Sequence, residues 1–153
     1  MTIARAVVVM LSLLKWTPGS LNQELLPIAY LESSNGTNIN HKPHSKGEFF
    51  SSYGALGLKP ATAYDEYMRN SLLQLEWPGL SNRMVFTASL KSQPALYNDA
   101  CNAHWWRLRS KTPSLTRAVF AWRHGYTAAL QAKEEQIASD PYVVSYLRIH
   151  FHG

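Results

Sequence analysis

The chain has 153 residues, 46% of them hydrophobic and 16% charged, which predicts one globular domain over residues 1–153 with a single core and excludes a disordered chain. A net charge of +5 and a pI near 9.4 favour an anionic partner, such as cell wall, nucleic acid or membrane headgroups. Lys and Arg are scattered rather than blocked, which argues against a nucleic-acid arm, and the one cysteine, Cys101, excludes an internal disulfide.

Leu-rich residues 3–15 predict a first helix, stopped by Thr17-Pro18-Gly19. Within it, "ARAVVVMLSLL" (Ala4 to Leu14) puts a basic residue before a short apolar run, like a weak signal-peptide core. No small-x-small cleavage site follows, and the run is too short to span a bilayer, so a buried helix is expected and no membrane span. Without a clear signal peptide, a protein acting on the wall would need another route to it, such as a phage particle or a holin.

Ser20 or Asn22 can cap a second helix through about Ser33, with Leu21, Leu25, Ile28 and Leu31 near helical spacing. Pro27 should kink that helix or mark a late start, since it lacks the N–H of a helix interior. From Asn35 to Gly54 the chain is polar, which predicts a long loop or, within residues 37–53, a small hairpin. Pro60 opens a helix to about Leu75, broken by Trp77-Pro78-Gly79. Helices are expected over 81–92 and 95–110, and another from Thr112-Pro113-Ser114 to His124-Gly125. Tyr126 to Ala138 and Tyr142 to Ile149 complete a mainly α chain.

Glu32 ends an apolar helix in "LPIAYLESSNG". Apolar surroundings disfavour the charged form of a carboxylate, a property that a general acid uses and that an ordinary solvated helix end does not. Four further segments bear on the choice. "SSYGALGLKPATA" (Ser51 to Ala63) places two glycines before a Pro-x-Thr-Ala helix start, "AVFAWRHG" (Ala118 to Gly125) puts an aromatic three residues before a helix-ending glycine, and "DPYVVSYL" (Asp140 to Leu147) opens the last helix with Tyr-Val. "CNAHWW" sets an asparagine before two tryptophans.

In this order and spacing the segments resemble the soluble lytic transglycosylase (SLT) domain of the lysozyme-like superfamily, which includes goose-type lysozyme. That family pairs a helix-terminal Glu-Ser with Gly-Leu-Met-Gln-x-x-Pro-x-Thr-Ala, then an Ala-Tyr-Asn-x-Gly helix end and a Tyr-Val helix. Ile28, Glu32 and Ser33 fit the first motif, and Gly54, Leu56, Leu58, Pro60, Thr62 and Ala63 the second. Ala121, Trp122 and Gly125 fit the third, and Tyr142 and Val143 the fourth, so the resemblance spans about residues 21–149. It departs at Gly57, where the family has Gln, at Arg123, where it has Asn, and at Trp122, where it has Tyr.

The resemblance implies a lysozyme-like α+β fold, a helical bundle around a substrate groove. It also implies a muralytic glycosidase that cleaves the β-1,4 bond between N-acetylmuramic acid and N-acetylglucosamine in peptidoglycan. Glu32 would protonate the leaving oxygen and then, as base, deprotonate the muramoyl 6-hydroxyl to leave a 1,6-anhydro end. Ser33, Ser52, Tyr53, Gly54, Leu56, Trp122 and Tyr142 would contact substrate. In a hydrolytic, goose-type-like lysozyme a second carboxylate would hold water, about 6.5–9.5 Å away in an inverting enzyme. Glu48 is the candidate, with Asp65 and Glu66 behind it. The alternatives are a non-catalytic virion or structural protein that keeps the fold and binds other phage virion proteins, and a basic helical nucleic-acid binder.

The remaining polar clusters point to no cofactor and no metal. His41-Lys-Pro-His44 and His150-Phe-His152 have spacings that a metal could use, but Pro43 and the chain end leave neither preorganised. Asn35-Gly36-Thr37 matches a glycosylation acceptor by chance composition. Of Trp105 and Trp106, one is expected in the core and the other partly exposed, where it could stack on sugar.

Overall fold

The structure is a computed structural model that describes residues 18–36 and 41–152. The first predicted helix, over residues 3–15, lies outside the described residues. The described chain is mainly helical, and among these residues there is no β-strand; the only pairing of that kind is an isolated antiparallel bridge between Tyr53 and Leu58. No helix of the described residues is long and apolar enough to cross a membrane. The chain divides between Ala103 and His104 into two compact units.

In the first unit, Asn22 caps a 3-10 turn, Gln23–Leu25, through a bond from the Glu24 N–H to its side-chain oxygen (2.9 Å). Helix α1, Leu26–Ser33, follows directly, with Pro27 in its first turn, where a missing N–H costs nothing. Pro27 therefore marks the start of the α-helix and does not kink it. Leu25, Ile28 and Ala29 are fully buried. The helix ends where Ser34 and Asn35 turn left-handed, the Asn35 N–H bonding back to the Ala29 carbonyl at 3.2 Å.

The polar loop contains a 3-10 turn, Glu48–Phe50, and no hairpin in its described part, residues 41–53. Helix α2, Pro60–Arg69, packs on that turn, on α3, Ser71–Glu76, and on α4, Arg83–Ser92. The single helix expected from Pro60 to Leu75 is two. Asn70 adopts an extended conformation and its side chain caps the Leu73 N–H at 3.0 Å, which restarts the helix. Helix α5, Pro94–Lys111, carries the division between the units. On its first-unit stretch Leu96, Tyr97, Ala100 and Cys101 are buried, while Asn102 clamps the chain before α1, donating to the Ser20 carbonyl and accepting from the Asn22 N–H.

In the second unit Trp105 is fully buried, whereas Trp106 is 73% exposed. Helix α6, Leu115–His124, packs against α7, Tyr126–Gln131, α8, Glu134–Ser139, and α9, Pro141–His152. The single helix expected over Tyr126 to Ala138 is interrupted at Ala132 and Lys133, because Arg117 of α6 donates to the Ala129 and Ala132 carbonyls and pairs with Glu134. That guanidinium satisfies carbonyl groups which a continuing helix would have used itself. Ala118, Val119, Ala129, Ile137, Val143 and Tyr146 are interior.

Candidate active site

The first two motifs of the resemblance meet in the first unit. α1 delivers Glu32, half-buried, and Ser33, buried, at its C-terminal end. The segment Tyr53 to Leu58 forms a tight reverse turn: the Tyr53 N–H bonds to the Leu58 carbonyl at 3.0 Å and the Gly57 N–H to the Gly54 carbonyl at 3.2 Å. Gly54 and Gly57 both have positive φ, +78° and +63°. Each also faces a side chain that leaves no room for a Cβ. At Gly57 a Cβ would stand 2.9 Å from Oε2 of Glu32, and at Gly54 it would stand 2.5 Å from the Tyr97 ring. Left-handed backbone thus favours glycine at both positions, and the close Tyr97 ring adds to this at Gly54.

A side chain at Gly57 would meet the end of the Glu32 side chain, so the glycine leaves the carboxylate its present place.

The turn is held by side chains from three directions. The Ser33 hydroxyl donates to the Ala55 carbonyl at 2.7 Å, with the Ala29 carbonyl one turn back also within 3.0 Å of the oxygen; it accepts from the Gly36 N–H at 2.8 Å. His41 Nε2 donates to the Gly54 carbonyl at 2.7 Å, a bond that requires the proton on that nitrogen because a carbonyl only accepts. The Tyr97 hydroxyl donates to the Tyr53 carbonyl at 2.7 Å and accepts from the Leu56 N–H at 3.0 Å. Burial pushes the Tyr97 phenol well above the ordinary tyrosine range, so this donor keeps its proton.

Other expected site residues are placed differently. Ser33 and Leu56, expected to touch sugar, are interior: Ser33 is 2% exposed with its hydroxyl engaged by backbone, and Leu56 is fully buried. Gly54 is also buried and covers Tyr97. Tyr53 and Ser52 are part-exposed on the same segment. The Tyr53 ring meets Tyr97 edge-on at 5.7 Å, its hydroxyl donates to the Lys91 carbonyl at 3.2 Å, and burial raises its phenol above the usual range.

Glu48, the expected second carboxylate, is ion-paired with Lys91 of α4, and the Lys91 ammonium lies 4.9 Å from the centre of the Tyr53 ring. Asp65 is exposed and Glu66 buried, both on α2. Beside Glu48, a groove of about 370 Å³ is lined by Phe49, Phe50, Arg83, Met84 and Thr87.

Trp122 and Tyr142, the aromatics of the third and fourth motifs, belong to the second unit. Trp122 packs edge-on to Trp105 at 6.1 Å and lies 5.3 Å from the His104 ring. Tyr142 lies under the Arg123 guanidinium, 5.6 Å from its ring centre. His41 and His44 take part in loop contacts, His44 Nδ1 accepting the Lys46 N–H. Among the described residues no group of three or more His, Cys, Asp or Glu could hold a metal ion.

Sequence reasoning passed over Tyr97, His41 and Lys91 as parts of this cluster. Only their partners in space reveal them, and those lie in the turn or the loop, far along the chain. Compared with models of known protein families, with curated proteins and with solved structures, the chain matches none. The local chemistry therefore carries the functional argument. A half-buried carboxylate lies beside Gly57 on a turn fixed by three side chains, which is an arrangement that can give and take a proton at a defined point.

Proposed function

We propose that the protein is a peptidoglycan-cleaving enzyme of lysozyme-like fold, a lytic transglycosylase acting on the β-1,4 bond between N-acetylmuramic acid and N-acetylglucosamine. Glu32 acts as the general acid at the glycosidic oxygen and then as the base for the muramoyl 6-hydroxyl. The observation that carries this reading is the contact between the Glu32 carboxylate and Gly57. It joins the Glu-Ser helix end to the glycine turn, the two segments that the resemblance pairs.

The proton balance is simple. The Glu32 carboxyl proton passes to the leaving oxygen as the C1–O bond breaks. The resulting carboxylate takes the 6-hydroxyl proton as that oxygen bonds to C1, which restores the acid without water. Glu48, the carboxylate that hydrolysis would need to hold water, is ion-paired with Lys91. Glu32→Gln keeps the shape of the side chain and removes its proton. It is expected to abolish clearing of a purified peptidoglycan suspension, and unchanged clearing would remove Glu32 from the mechanism.

A further inference from the structure

Tyr97 sits on α5, 44 residues along the chain from one of its hydrogen-bond partners and 41 from the other. It is 2% exposed, so it touches no ligand. Its hydroxyl nevertheless spans the mouth of the reverse turn, donating to the Tyr53 carbonyl and accepting from the Leu56 N–H. Its ring fills the space under Gly54 so closely that a Cβ there would overlap Cζ. At the other end of the same turn a Cβ on Gly57 would stand 2.9 Å from Oε2 of Glu32.

We infer that Tyr97 is a positioning residue: by fixing the Gly54–Gly57 turn from beneath, it sets where the Glu32 carboxylate stands. The inference rests on the transglycosylase reading for its effect on rate, but the mechanical link between Tyr97 and Glu32 stands without it. The turn has the Tyr97 hydroxyl under one end and the Glu32 carboxylate beside the other. Loss of the hydroxyl leaves the Leu56 N–H and the Tyr53 carbonyl without their shared partner, and the turn then relaxes at the Gly57 end as well. Because burial holds the phenol protonated, the donor to Tyr53 persists across the pH range in which a carboxyl acid works.

The test compares wild type, Tyr97→Phe and Ile137→Val, the last a core truncation in α8 of the second unit that lowers stability. Two readouts are taken: kcat and KM on soluble uncrosslinked glycan strands, and the 13C resonance of the Glu32 carboxyl carbon at one fixed pH. Tyr97→Phe is expected to lower kcat about 10- to 100-fold with little change in KM, and to displace the Glu32 resonance. Ile137→Val should do neither. An undisplaced Glu32 resonance in folded Tyr97→Phe overturns the inference, as does a rate loss shared equally with Ile137→Val.

If wild type and Glu32→Gln cleave glycan equally, the transglycosylase reading fails, and the resonance arm still decides the role of Tyr97. Should Tyr97→Phe not fold, Gly54→Ala puts the same question, since its methyl would run into the Tyr97 ring and shift the turn. It is then expected to displace the same resonance, and an unmoved signal counts against the inference.

Discussion

The carboxylate of Glu32 faces Gly57 so closely that a single methyl on that glycine would lie 2.9 Å from Oε2. Gly57→Ala therefore has two costs. The alanine must hold φ at +63°, which destabilises by about 1 kcal/mol or more, and its methyl must displace the acid. Activity should fall further than the stability loss explains, measured as turnover at a temperature where the variant is fully folded.

Ser33 joins helix α1 to the turn through the Ala55 carbonyl while accepting the Gly36 N–H. Ser33→Ala leaves these groups without that partner. An unmade bond at a buried polar group costs about 1–3 kcal/mol, and urea denaturation should show a loss of that size. Ser33→Ala is expected to weaken catalysis through the turn, since the hydroxyl is interior.

The Tyr97 phenol supplies a pH test with a definite sign. Its native ionisation is pushed above the ordinary tyrosine range by burial, whereas the unfolded chain releases that proton near pH 10. A group raised in the folded state contributes stability that is fully present below the unfolded value and is lost as pH rises toward the folded one. Wild type should lose stability more steeply above about pH 10 than Tyr97→Phe does. Thermal melts across alkaline pH, with phenolate absorbance followed in parallel, give the comparison.

Trp105 and Trp106 are neighbours in sequence and opposites in environment, 0% and 73% exposed. Trp105→Ala should cost about 3–5 kcal/mol, and Trp106→Ala should stay within about 0.5 kcal/mol of wild type. Chemical denaturation separates the two. A large loss at Trp106 would mean that its face is covered in solution.

Cys101 is fully buried, and desolvation holds its thiol far above the usual range. A thiol reagent should leave it unmodified in the native protein and label it only as the chain unfolds, since thiolate is the reactive form.

Much of this was legible along the chain because it is written in local chemistry. Asn22 and Ser114 mark helix starts with short polar side chains that accept backbone N–H groups, and Pro27 and Pro60 sit where a helix can dispense with an N–H. Glu32 and Gly54 stand out by motif, whereas Gly57 is a departure from it. The break at Asn70 was hidden because an asparagine inside an apolar pattern reads as tolerated until its side chain is seen capping Leu73. The break at Ala132 carries no local signal at all, since it depends on a guanidinium from another helix. Tyr97 was missed for the same reason: a tyrosine in a helix reads as packing, and its role lies in a hydroxyl aimed at a distant turn.

The most direct test is mass spectrometry of the soluble products released from purified peptidoglycan by wild type and Glu32→Gln. Wild type should release muropeptides with 1,6-anhydro ends, and Glu32→Gln should release none. Reducing ends from wild type would contradict transglycosylation, and anhydro products from Glu32→Gln in wild-type amounts would contradict the role assigned to Glu32.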